Sequence, residues 1–305
     1  LLGICLRSKV VHINEIIGGC EHAAYLVKFD SVHGTWEKEC EPGNDKKHIK
    51  VEGKRVNFTD KKDFTQVDWK GSGCDIVVDS SGKFTKTDKL KPYLTQCGMK
   101  KVVVSAPVKE PSVLNIVVGV NDQKLTASHD IITAASCTTN CLAPVIKVMH
   151  ENLGIESGMI TTVHNITATQ SLVDLVQTKK NDMRRSRSGM LNLAPTSTGS
   201  ATAIAEVFPE LKGKLNGHAI RVPLLNGSIT DIVLNVKKET SVAEVNKLLE
   251  AASSSGPLSA NSEHGSILGY ETRPLVSTDY TNDKRSSIID APSTMVVDKK
   301  MVKLY

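Results

Sequence analysis

"AASCTTNCLAP", residues 134–144, sets a cysteine among hydroxyl residues at what reads as a helix start, and a second cysteine follows four positions later. The texture of the chain changes there. Upstream lie short apolar runs rich in β-branched residues: "VVHINEI" (10–16), "DIVVD" (75–79), "KVVVSAP" (101–107), "NIVVGV" (115–120) and "IITAA" (131–135). Residues 85–95 are polar and periodic enough for a crossover helix. Strands apolar throughout and joined by helices predict a parallel sheet covered on both faces. "HIKVEGKRVNF" (48–58) breaks the rhythm and predicts an antiparallel hairpin turning near Gly53.

Downstream, "NCLAPVIKVMHENLG" (140–154) carries Leu142, Val145, Ile146 and Met149 at helical spacing and a stop at Gly154, so it predicts an amphipathic helix. Longer strand-like runs follow: "SGMITTVHNIT" (157–167), "GHAIRVPLL" (217–225), "GSITDIVLNV" (227–236), "SSIIDAPSTMVV" (286–297) and "MVKLY" (301–305). With few crossovers, they predict a largely antiparallel sheet backed by helices. One helix should start at Ser241, with Glu244 completing a capping box. "ASSSGPLSANSEHGS" (252–266) reads as a surface loop. The fold class is therefore a parallel α/β domain followed by an α+β domain, with Cys137 at their boundary.

The 305 residues exceed one ordinary core and favour two domains of roughly 150 residues each. Hydrophobic residues make up 40%, and no apolar run approaches the roughly 20 residues a membrane span requires. A formal charge of +5 is too modest and too scattered for a nucleic-acid surface, and only Arg184, Arg185 and Arg187 cluster. Seven cysteines without a disulfide rhythm, and an opening unlike a secretory signal, point to a reducing, cytoplasmic setting.

A thiol at a helix N-terminus meets unpaired backbone N–H groups and the positive end of the helix dipole, which favour the thiolate. Ser136, Thr138, Thr139 and Asn140 around Cys137 suit capping or holding an anion. The stretch alone leaves two readings open, a nucleophile or a buried cysteine beside a polar cap. Cys141, in the apolar run, reads as core. His164 is the best-placed base, at the end of a strand-like run that leaves into a polar loop. Arg185, the hydroxyls before Gly199 in "PTSTG" (195–199), and Arg221 are anion-binding candidates. Glu15 ends an early strand, where a dinucleotide fold places the carboxylate for ribose hydroxyls. No second cysteine or histidine pair at zinc-ligand spacing accompanies Cys137 and Cys141, so no metal is expected.

"ASCTTNCLAP" (135–144), "TTVHNITATQ" (161–170), "RRSRSGMLNLAPTSTGSATAIAEVFPELKGKLNGHAIRVP" (184–223) and "SAPVKEP" (105–111) resemble the phosphorylating glyceraldehyde-3-phosphate dehydrogenases over nearly the whole chain. The resemblance implies a Rossmann-like NAD-binding domain, 1–136, and a catalytic domain, 137–305. It implies that Cys137 forms a hemithioacetal and then a thioester, with His164 as base, NAD as hydride acceptor and inorganic phosphate attacking the thioester. By the same matching, Thr167 and Arg221 would hold the phosphate of glyceraldehyde 3-phosphate. Thr138, Thr198 and Gly199 would hold the attacking phosphate, with Arg185 near both and Ser136 as a further substrate or phosphate contact. Asn14, Glu15, Ser81 and Ser105 match cofactor-lining positions, and the carboxylate of Glu15 favours NAD over NADP.

The segments 20–34, 103–110, 221–231 and 269–298 look more like a branch associated with arsenate resistance, in which arsenate replaces phosphate and the product passes to an exporter. Family members are homotetramers, which is the assembly expected. They also open on a strand and a glycine-rich turn and end beyond a "WYDNEWGY" segment with a helix. This chain matches the pattern from inside the first helix to "VKLY" (302–305), so it is expected to be shortened at both ends. A cysteine hydrolase would not explain paired anion sites or Glu15, and a cofactor-poor, non-catalytic remnant is the remaining alternative.

Overall fold

Apolar runs of the first half become short parallel strands, with Val77, Val102 and Val104 buried and Ile76 and Val78 of the outer strand exposed. In the computed structural model, which describes residues 9–177 and 182–305, the chain divides into two compact units, 1–114 with 126–134 and 115–125 with 135–305.

The first unit holds two sheets. In one, His12–Asn14 lies parallel to Lys54–Thr59, which pairs antiparallel with His48–Val51, itself antiparallel to Cys40–Pro42. The predicted hairpin turns on two residues, Glu52 (φ 49°) and Gly53 (φ 73°). Positive φ at both positions matches the twist of the strands, and a glycine at the second lowers its cost. In the other sheet Lys101–Val104 lies between Ile76–Asp79 and Ile131–Thr133, all parallel. The crossover helix is Thr87–Thr95. Its Leu90 and Tyr93 are buried with Phe64, Trp69 and Val102, and Tyr93 stacks on Phe64 with ring centroids 3.8 Å apart.

One expected strand is absent. Pairing reaches only Leu114–Asn115, and 116–120 form turns instead of the predicted strand. Val117 accepts the N–H of Val120 at 3.1 Å, and Gly119 takes φ 78° so close to Pro257 that a Cβ would lie 2.8 Å from its carbonyl oxygen. The apolar residues of this run are core all the same: Val117 and Val120 pack in the cluster that holds Leu258 and Ile267. The same packing corrects the reading of 252–266. Helix Val242–Ser254 takes its first residues, and Leu258 and Ser259 are buried.

The second unit is built on a six-stranded sheet in the order Ala194–Ser197, Leu215–Val222, Ile155–Asn165, Ser228–Val236, Met301–Leu304, Met295–Val297. It is antiparallel except for the pair Ile155–Asn165 and Leu215–Val222. The run 286–297 is not one strand: Ser287–Asp290 pairs with Leu268–Glu271 in a separate parallel ribbon, and a turn over Ala291–Ser293 separates it from Met295–Val297. Helix Cys137–Leu153 buries Leu142, Val145, Ile146 and Met149, the four residues its periodicity marked. Each such side chain contributes about 1.5–3 kcal/mol by leaving water, which anchors the helix and with it the position of its first turn.

Candidate active site

Helix Cys137–Leu153 begins where the sequence breaks it open with hydroxyls. Ser136 is the cap, extended at φ −119°, ψ 161°, and its Oγ accepts the Thr139 N–H at 3.1 Å. Cys137 is therefore the first helical residue, exposed, in the turn whose N–H groups lack an intrahelical partner, and the Thr138 N–H bonds its sulfur. Its Sγ lies 3.5 Å from Nε2 of His164 and 3.9 Å from Oγ1 of Thr138, which is itself buried. The hydrogen bond to His164 lowers the thiol to about 7 against an opposing cost of partial desolvation. The thiolate is thereby favoured relative to an ordinary cysteine. Cys141 differs in every respect: its sulfur is enclosed, 3.9 Å from Thr230 Oγ1 and 3.8 Å from Ser287 Oγ, and burial pushes its thiol up.

His164 is 7% exposed near the end of the strand Ile155–Asn165. Sheet register sets Arg221 beside it on the parallel neighbour and Ser228 on the antiparallel one. Its Nδ1 lies 2.8 Å from the carbonyl oxygen of Asn165 and 2.7 Å from Nη1 of Arg221, which also donates to that carbonyl at 2.9 Å. Nε of Arg221 is buried without a partner. Burial, and next the charge of Arg185, work against the Arg221 cation.

Arg185 is 5% exposed, whereas Arg184 and Arg187 are at the surface. Its Nη1 donates to Thr169 Oγ1 at 2.7 Å, its Nε is buried without a hydrogen bond, and Asp182 stands off at 3.9 Å. Thr169 Oγ1 lies 2.9 Å from Thr167 Oγ1, so Thr167 joins Arg185 through it. A buried and a half-buried guanidinium, each with an enclosed and unmatched Nε, are unfavourable in each other's field, and a bound anion relieves both penalties.

The structure thus brings Cys137, Ser136, Thr138, His164 and Arg221 together, and Thr167 with Arg185. Thr198 and Gly199 follow Ser197, which stands opposite His218, whereas Ala194 stands opposite Arg221; three residues of strand separate the two levels, about 10 Å. Gly199 caps helix Ser200–Val207. Two participants went unforeseen, Thr169 and the carbonyl of Asn165. Neither carried a signal, since a backbone oxygen is invisible in a sequence and one threonine in "ITATQ" (166–170) resembles the next.

In the first unit, Glu15, Ser81 and Ser105 each lie just past the carboxyl end of a parallel strand, His12–Asn14, Ile76–Asp79 and Lys101–Val104. Ligands of open α/β sheets bind at those ends. The exposed Glu15 carboxylate holds only the Ile17 N–H, at 3.2 Å, leaving acceptor positions for a diol. Asn14 is already committed: its amide donates to Lys61 O and accepts from Thr59 Oγ1 and Lys61 N, so it shapes the loop that faces Glu15's strand end. Ser81 donates from N and Oγ to the buried Asp79, at 3.0 and 2.7 Å. These residues fit a dinucleotide's ribose side.

An ionisable thiol beside a histidine, a buried Arg185 and a half-buried Arg221, with a parallel, dinucleotide-type sheet in the first unit, are the features of an oxidoreductase-type thiol enzyme for an anionic substrate. Comparison with known proteins narrows the class. The model of the glyceraldehyde 3-phosphate dehydrogenase C-terminal domain matches residues 136–305, and that of its NAD binding domain matches residues 6–87. Glyceraldehyde-3-phosphate dehydrogenase 3 of Nostoc sp. strain PCC 7120 is 54% identical over 297 residues, 97% of this chain and 84% of the relative. The glyceraldehyde-3-phosphate dehydrogenase of Geobacillus stearothermophilus is 45% identical over the same shares, and that of Pseudomonas aeruginosa is 44% identical over 95% of this chain and 82% of its own length. The chain belongs to the glyceraldehyde-3-phosphate dehydrogenase family.

Proposed function

We propose that the protein oxidises glyceraldehyde 3-phosphate with NAD through a thioester on Cys137, and that inorganic phosphate releases the product as an acyl phosphate. The observation that carries this reading is the contact of 3.5 Å between the Cys137 sulfur and His164 Nε2, with Arg221 on His164 and Arg185 acting on Arg221, each arginine with a buried Nε that lacks a partner. The Cys137 thiolate attacks the aldehyde carbon, and the proton on His164 Nε2 passes to the developing alkoxide. That gives a thiohemiacetal. His164 then takes the hydroxyl proton back as the carbonyl re-forms and hydride leaves the carbon. NAD supplies the hydride acceptor, and Glu15, Ser81 and Ser105 are the residues that would hold it. Phosphate oxygen attacks the thioester carbon, the C–S bond breaks, and Cys137 leaves as thiolate.

Arg221 and Thr167 are assigned to the substrate's phosphate, with Thr138, Thr198 and Gly199 to the attacking one, Ser136 as a further contact and Arg185 serving both. Arsenate has the shape and charge of phosphate and enters by the same contacts. Mixing the protein with NAD, glyceraldehyde 3-phosphate and phosphate should raise the absorbance of the reduced cofactor. A flat trace from protein whose thiol still alkylates would overturn the reading.

Self-association fits the surface. Segments 171–175 and 185–189 are tied by backbone bonds and by the Arg187–Asp174 pair at 2.7 Å, yet Leu172, Val173, Val176, Met183, Leu191 and Leu193 are mostly exposed around them. Apolar surface of this kind marks an interface, and light scattering should return about four times the chain mass for the homotetramer we infer. No helix among the described residues is long and apolar enough to cross a membrane. Six described cysteines are free, in keeping with a reducing, cytoplasmic location.

A further inference from the structure

We propose that Arg221 decides which nitrogen of His164 carries the proton, and that an anion drawing its guanidinium aside turns His164 from a proton donor toward the sulfur into a base for the thiol. Nδ1 of His164 faces two neighbours that make opposite demands. The Asn165 carbonyl, at 2.8 Å, can only accept, and Arg221 Nη1, at 2.7 Å, can only donate. Both cannot be satisfied at once. With Arg221 seated, Nδ1 must be bare, the ring is neutral, and its one proton sits on Nε2, which points at the Cys137 sulfur. An Nε2–H can donate to a thiolate or an alkoxide, but it cannot accept the proton of a thiol.

With Arg221 displaced, Nδ1–H donates to Asn165 O and the Nε2 lone pair is free to take the thiol proton. The resulting imidazolium then has an acceptor on each side, the carbonyl and the thiolate. An imidazolium beside a seated Arg221 would instead oppose two donors, and two cations, across 2.7 Å. The charged and polar groups that face His164 are Cys137 from the helix, Arg221 from the parallel strand and Ser228, in register on the antiparallel one; Arg185 acts on Arg221. The guanidinium is poorly settled where it is, since its Nε is enclosed without a partner. An arriving phosphate group offers that Nε an acceptor. The displacement half of this proposal rests on reading Arg221 as the grip for the substrate's phosphate. Arg221 is thus a positioning residue for His164 in addition.

The test is the tautomer itself. In the full chain labelled with 15N-histidine, the His164 ring signals are assigned by their loss in His164→Asn, and spectra are taken where the ring is neutral. Free wild-type protein should show a bare Nδ1. Arg221→Leu, and wild type titrated with sulfate, should show Nδ1–H, a change in the tautomer ratio of at least about tenfold, as expected for a bond to a charged donor. Should Arg221→Leu fail to fold, the sulfate titration of wild type stands alone. A protonated Nδ1 in the free wild type would overturn the assignment, and a tautomer unmoved at every sulfate concentration would overturn the displacement. Turnover measured on the same preparation separates the two readings: active enzyme with an unmoved tautomer sinks this proposal and leaves the dehydrogenase reading intact.

Discussion

The first and second turns of helix Cys137–Leu153 each carry a thiol, and the two have opposite fates. Cys137 stands in the turn where backbone N–H groups have no helical partner, faces a histidine and is lowered to about 7. One turn on, Cys141 points among Thr230 and Ser287 under the sheet and is raised by burial. Four residues separate them, so composition and local propensity are nearly shared. What differs is the neighbour each sulfur meets from a distant strand, and whether water reaches it.

The strongest way to break this comparison is to exchange the roles of the thiols. Cys137→Ser should lower turnover by about 10⁴-fold or more, as loss of a nucleophile does, and should abolish alkylation, whereas Cys141→Ser should do neither. Mass mapping of the alkylated peptide decides it. His164→Asn comes next, with kcat down about 10²–10⁴-fold. The sign on the thiol is also set: without its hydrogen-bond partner Cys137 titrates above about 7, so alkylation slows at pH 6–7 and recovers at higher pH. An unmoved profile would show that the helix end alone ionises the sulfur.

Arg221→Leu sharpens the contrast between the nucleophile and its anion grip. It should cut kcat/KM for glyceraldehyde 3-phosphate about 10–100-fold more than for unphosphorylated glyceraldehyde, the worth of a charge-assisted bond. Equal losses for both aldehydes would remove Arg221 from the phosphate site. Ser136→Ala should have the smallest effect, about 1 kcal/mol of stability read as a lower denaturant midpoint, because a capped helix start loses one side-chain acceptor. No shift there would mean the first turn is held by its sheet contacts.

Much of this arrangement is written locally in the chain. The runs that form Ile76–Asp79, Lys101–Val104 and Ile131–Thr133 mark themselves as parallel strands by their β-branched residues, although Ile76 and Val78 of the outer strand are exposed, and Glu52–Gly53 marks its own hairpin. Ser136 is legible as a cap because its hydroxyl serves an N–H three residues away. What stayed hidden depends on partners far along the chain. Residues 116–120 have a strand's composition, yet the turn at Gly119 against Pro257 sets their path. Arg185 looks no different from Arg184 or Arg187 until folding encloses it. The contact of Arg221 with His164, 57 residues apart, follows from the register of two strands, which no local pattern records.

The chemistry of the site rests on the ionisation of one sulfur. The rate of iodoacetamide incorporation into the wild-type protein, followed against pH, should rise through a midpoint near 7 with all label on Cys137. A midpoint near that of an ordinary thiol, about 8.5, or label on Cys141, would contradict it.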